Sequence, residues 1–273
     1  MKSPLLIILV IISTTALGYA GRQPIMAALG VDTTTTFTIW QYTAYRGFWN
    51  LLLPALVLAL LHGPRRVFDE LGWNAPVLKG LLAGFVITLP MLVGFAIMFA
   101  PVDMPLNKIL LKFYTGSFWA GLAEETFYRA FLFGQLYRHG RVPFWLAATA
   151  QGLFFGMAHL YQAQDILPAL GIFAITSMGG VWFAWLWVSW RNLWVPVVVH
   201  ILMNAWWGLF AVDNTALGGW VANGCRVLTI ALSIWLTIRE LRKQGRTAWV
   251  WREAVPASPR MPDARLQTAH PVL

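Results

Sequence analysis

Long apolar runs separated by short polar segments dominate the chain, and the runs define its elements. A helix that crosses a bilayer needs about 20 apolar residues. Runs near that length fall at residues 4–20, 37–61, 77–100, 113–137, 143–160, 167–190, 193–212 and 217–238. The pattern predicts about eight transmembrane helices in an all-α, polytopic membrane fold. The first run has two readings: Lys2, an apolar stretch and Gly18-Tyr19-Ala20 before Gly21 also fit a cleavable signal peptide. The run is unbroken up to Tyr19, which favours a retained helix. After Arg246 the chain turns to small and polar residues with Pro256, Pro259, Pro262 and Pro271, so a disordered tail over 246–273 is expected beyond a membrane domain of residues 1–245.

Basic residues test the helix count, because one helix too many or too few would scramble their alternation. Fourteen fall in segments assigned to the cytoplasm: Lys2, Arg65, Arg66, Lys79, Arg138, Arg141, Arg191 and seven from Arg239 onward. Three (Arg22, Lys108, Lys112) fall on the other side, and Arg46, Arg129 and Arg226 lie inside helices. Fourteen against three supports the count and places both termini in the cytoplasm. The short loops, and an N-terminus without a targeting sequence, point to a bacterial inner membrane.

Composition agrees: 58% of residues are hydrophobic and 11% charged, against about 25% charged in soluble domains. A net charge of +9 could indicate nucleic acid, but the excess lies between helices and in the tail, so lipid is the expected partner and nucleic acid is not. The single cysteine, Cys225, excludes an internal disulfide and has no His or Asp near it in sequence. No phosphate loop or dinucleotide fingerprint is present, and no cofactor is expected. Trp182, Trp185, Trp187, Trp190 and Trp194 bracket a turn and read as an interfacial belt.

The fourth run breaks the apolar rule with Glu124, Glu125 and Arg129. Each charge at the centre of a spanning helix costs about 2.5 to 3.5 kcal/mol, so three together oppose insertion by roughly 7 to 10 kcal/mol. Glu125 and Arg129 are four apart and can pair on one face. Glu124 is turned by about 100° from Glu125 and is left free for chemistry. His159 ends another run, while His200 and Asn204 stand one turn apart on a third, sharing a face. A glutamate can serve as general base with a histidine assisting, and histidine with asparagine can hold a developing oxyanion. Taken singly, each has a plainer reading: a structural ion pair, an interfacial histidine, and interhelical hydrogen-bonding residues. Their joint presence favours a site, since ionisable groups within a membrane default to function.

Glu124-Glu125-xxx-Arg129, Phe155-xxx-His159 and His200-xxx-Asn204, in that order on separate apolar runs, resemble the CPBP family of intramembrane proteases. That family includes CAAX prenyl endopeptidases of the Rce1 type and bacteriocin-processing or immunity-associated proteins. The resemblance covers residues 124–204. It implies that Glu124 and His159 activate a water, that His200 and Asn204 stabilise the oxyanion, and that Glu125 and Arg129 support Glu124, with no metal required. The substrate would be a membrane-associated protein or peptide, and the resemblance leaves the oligomeric state open. Two other readings stay open: a zinc-dependent hydrolase, and a non-enzymatic transporter or immunity factor in which Arg46 and Arg226 line a conduit. Depth poses a problem, for His159 is about 27 Å along a helix from Arg141 and His200 about 13 Å from Arg191. For the groups to meet, helices must be tilted, shifted or broken, with Gly152, Gly156 and Pro196 as candidate breaks and the cavity leaning to the outer half.

Overall fold

The computed structural model describes residues 2–28 and 38–248, which form eight helical rods. These are α1 (Pro4–Ala28), α2 (Ile39–His62), α3 (Val77–Met98), α4 (106–138), α5 (Phe144–Met157), α6 (Ile166–Trp190), α7 (Trp194–Leu209) and α8 (Trp220–Lys243). Among the described residues there is no strand, and one antiparallel bridge ties Pro101 to Phe210. Five rods, α1, α2, α3, α6 and α8, are long and apolar enough to cross a membrane. The others are the charged α4 and the shorter α5 and α7, of 14 and 16 residues. Polar caps fix the ends: Ser3 accepts the Leu6 N–H, and Thr38 and Gln41 form a reciprocal capping box at the start of α2. The expected disordered tail lies outside the described residues, apart from 246–248.

The fourth rod is the axis of the bundle. Residues 123–137 are buried without a break, as expected of a helix wrapped by neighbours on every side. The main core joins α4 to Ile7 and Ile11 of α1, Leu58 of α2, Phe144 and Phe155 of α5 and Trp187 of α6. The Tyr19 hydroxyl bonds both Tyr128 and the Phe154 carbonyl, which builds α1 into the same core. Over 113–118 and 120–133 the winding is wider than an α-helix, with the Gly134 N–H reaching back to the Arg129 carbonyl. Such widened turns are rare and concentrate at functional sites.

None of the three candidate breaks is one. Gly152 and Gly156 lie within α5 and serve its close crossing with α6: a Cβ on Gly152 would stand 2.7 Å from the Ser177 carbonyl oxygen. Pro196 sits in the first turn of α7, where its missing N–H is not needed. Depth is reconciled instead by shortness, because α5 stops at Met157 and His159 follows its end.

The tryptophans of the expected belt also make contacts within the protein. All five residues are buried or half-buried. Four donate their indole N–H within the protein: Trp182 to Ser233, Trp185 to the Ala248 carbonyl, Trp190 to Thr237 and Trp194 to the Trp73 carbonyl. They tie helices together, with α6 bound to α8 twice.

Between α2 and α3, Glu70 is buried on a single helical turn and gathers polar partners. Its carboxylate accepts from Gln135 at 3.1 Å and His139 at 2.8 Å, with Arg66 and Arg138 each at 3.5 Å. Burial pushes its pKa up, but the His139 bond, the Arg138 charge and the Gln135 bond outweigh it and hold the carboxyl at about 2.

Candidate active site

The wide helix α4 puts Glu124 and Glu125 on different faces with different partners. Glu124 faces a cavity of about 1740 Å³ whose walls also carry His159, His200, Asn204 and Arg46. Glu125 and Arg129 lie behind that wall, both fully buried, with Arg129 Nε 3.1 Å from Glu125 Oε2. The i,i+4 pair expected from spacing is therefore present. The Arg129 guanidinium also lies over the rings of Phe155 at 4.3 Å and Phe183 at 5.0 Å, where aromatic faces offset part of the cost of burying the charge.

Glu124 is not free in the sense the sequence implied. Its Oε1 accepts from Arg46 Nη2 of α2 at 3.2 Å. Its Oε2 is buried without a hydrogen-bond partner among the described residues and lies 3.9 Å from His200 Nε2. Arg46 is in turn set by Tyr42, which accepts from its Nε at 3.2 Å and donates to the Thr115 carbonyl of α4 at 2.8 Å. Sequence reading placed Arg46 inside a helix but gave it no place beside Glu124. The available signal was an arginine four residues after a tyrosine within an apolar run, a pair without an acidic residue on its own helix.

Glu125 does more than hold Arg129. Its Oε1 is 2.7 Å from His200 Nδ1, so one carboxylate joins a histidine to an arginine. The same kind of second partner orients histidines in metal and catalytic sites by fixing which nitrogen carries the proton. Here the Nδ1–H is held by Glu125 and Nε2 is turned toward Glu124. His159 is fixed differently, its Nδ1 donating to the Phe155 carbonyl at 2.7 Å, which leaves Nε2 for the cavity. Phe155 packs on both imidazoles, with ring centres 4.5 Å from His159 and 6.1 Å from His200. Asn204 donates one amide proton to the Gly116 carbonyl at 3.0 Å and retains a second donor.

These groups meet because α4 and α7 approach closely. A Cβ on Gly121 would lie 3.0 Å from both the Ile201 nitrogen and the Val197 carbonyl oxygen. Backbone on the far side cannot move aside, so Gly121→Ala should push α7, and His200 with it, away from Glu124. The expected outcome is a drop in turnover larger than the drop in detergent melting temperature, checked by measuring both on one preparation. A variant with wild-type turnover would show that the crossing has slack.

The segment that holds most of this site is also the one that known proteins share. Residues 106–206 match the family described as type II CAAX prenyl endopeptidase Rce1-like. That stretch contains Glu124, Glu125, Arg129, His159, His200 and Asn204, while Arg46 lies outside it. A Bacillus subtilis (strain 168) protein, "Putative membrane peptidase YdiL", is 27% identical over 99 residues, 36% of each chain. The match thus spans about a third of that relative's length. No solved structure matches the chain. The fold defines an all-helical, polytopic membrane protein, and its central segment is similar to the Rce1-like family.

Proposed function

We propose that the protein is an intramembrane endopeptidase that hydrolyses a peptide bond by a glutamate-activated water. The observation that carries this reading is the unbonded Glu124 Oε2, buried in a cavity beside His200 and sharing its walls with His159 and Asn204. A carboxylate oxygen with no hydrogen-bond partner among the described residues in such a place is suited to bind and deprotonate a water. His159 Nε2, the free nitrogen of a ring whose other nitrogen is committed, assists. Hydroxide attacks the scissile carbonyl carbon, the oxyanion forms, and the C–N bond breaks as the proton held by Glu124 passes to the leaving amine. Amide and water are thereby converted to carboxylate and amine with no covalent enzyme intermediate.

His200 and Asn204 hold the oxyanion, and the Glu125 contact supports that role. With Nδ1–H committed to Glu125, the His200 ring is held with Nε2 toward the cavity, the nitrogen that would face a developing oxyanion. Glu125 and Arg129 are therefore positioning residues for His200 as much as for Glu124. The cavity exceeds the roughly 300 to 1,000 Å³ of small-molecule sites, which suits an extended peptide segment. A membrane-anchored peptide, or the C-terminal sorting helix of an exported protein, is the substrate class we favour over a prenylated C-terminus. The protein acts in a bacterial inner membrane with both termini in the cytoplasm.

The test is a comparison of membrane proteomes from cells carrying the wild type or Glu124→Gln, reading peptide termini. A terminus that appears only with the wild type identifies the substrate. Identical termini in the two, with both proteins expressed, would favour a non-enzymatic role.

A further inference from the structure

A second polar cluster stands apart from the cavity, where the end of α2, the α2–α3 connection and the end of α4 meet. We propose that His62, Glu70 and His139 bind one divalent transition-metal ion of the zinc class. Their candidate ligand atoms all lie within 4.8 Å of one another. Two imidazoles and a carboxylate are a zinc donor set that leaves a position open for water. The rings of His62 and His139 face each other with centres 4.3 Å apart, so both are already held at one place. Each presents Nε2 to an oxygen: His62 to Gln135 Oε1 at 2.7 Å, His139 to Glu70 Oε2 at 2.8 Å. Those bonds are what an ion would replace, with each imidazole coordinating through an unprotonated Nε2 and its proton shifting to Nδ1 or leaving to solvent. Ligand bonds of about 2.0 to 2.2 Å require the three atoms to close by roughly 1 Å, which side-chain rotation supplies, His62 and His139 standing at helix ends and Glu70 on a single turn.

Arg66 and Arg138 oppose a cation here, but their contacts with the Glu70 carboxylate are the longest it makes, and the Arg66 side chain is half exposed and free to turn to water. Arg138 keeps the Glu70 carbonyl oxygen when the carboxylate turns. An ion bound there joins three chain segments and braces the end of α4, fifteen residues and roughly 20 Å beyond Glu124. A chelator could then slow the enzyme without any metal at Glu124. The assignment stands on this cluster alone and does not depend on the hydrolase reading.

The experiment uses the full chain in detergent, stripped with chelator and titrated with Zn²⁺ by calorimetry, then with Co²⁺ read by its visible ligand-field absorption. One ion per chain should bind to the wild type and, with the same affinity, to Glu124→Gln and His159→Ala. His62→Ala and His139→Ala should bind at least about 100-fold more weakly. His139→Gln keeps a hydrogen-bond donor for Glu70, so it should match the metal-free wild type in melting temperature and still lose the ion. Absence of stoichiometric binding to the wild type would overturn the proposal. So would binding lost in Glu124→Gln or His159→Ala, or retained in a folded His139→Gln.

Discussion

Glu124→Gln should lower peptide hydrolysis by about 10³-fold while leaving expression and the detergent melting temperature within a few degrees of wild type. The size follows from the proposed role: a positioned general base contributes about 10²- to 10⁴-fold, and an amide cannot accept the proton of water. The fold should tolerate the change because Gln keeps the shape of Glu and an oxygen for Arg46. Arg46 loses its counter-charge, but its side chain is 23% exposed to the cavity, where water can solvate it. The measurement is single-turnover cleavage of the peptide found by terminus comparison, alongside thermal unfolding of the same sample. Activity within tenfold of wild type would remove Glu124 from the chemistry. A collapse of melting temperature would show the Arg46 pair to be a structural clamp, as the plainer reading holds.

How much of this could be read from sequence depends on the range of the contact. The eight rods follow from apolar runs, which are local, and their ends fall within about three residues of the runs except at α1, α4 and α8, which extend beyond them. The Glu125 and Arg129 pair was legible because helix spacing places them together. Arg46 beside Glu124, 78 residues away in sequence, was not legible, since no spacing rule joins two helices. The His200 link to Glu125 was hidden for the same reason. It changes the chemistry, because the carboxylate assigned to Arg129 turns out to fix a histidine proton as well. The widened winding of α4 was missed because periodicity was read at 3.6 residues per turn. The glycines of α5 looked like breaks from sequence, whereas the opposing backbone shows them to be contact points.

Arg129→Ala should be the most damaging single substitution to the fold. Its guanidinium is fully buried, its only salt bridge among the described residues is to Glu125, and it lies over the Phe155 and Phe183 rings. Removing it leaves the Glu125 carboxylate buried against His200 and opens a void beside two aromatic rings. Breaking a buried pair from one side costs about 3 to 5 kcal/mol, a large part of the roughly 5 to 15 kcal/mol that holds a typical soluble domain. The expected result is low yield and a strongly lowered melting temperature in detergent. Removing both charges is a different experiment. Glu125→Gln combined with Arg129→Met leaves no unpaired charge, fills most of the void and keeps an oxygen for the His200 Nδ1–H, so it should fold better than Arg129→Ala alone. It should nevertheless remain slow, because a neutral amide holds the His200 Nδ1–H less firmly than a carboxylate does, so the ring is less firmly oriented for the proposed oxyanion contact. The loss should fall on kcat more than on KM, since an interaction made only in the transition state is removed. A double variant that folds and cleaves at the wild-type rate would confine the pair to a structural part and leave His200 without the orienting role assigned to Glu125.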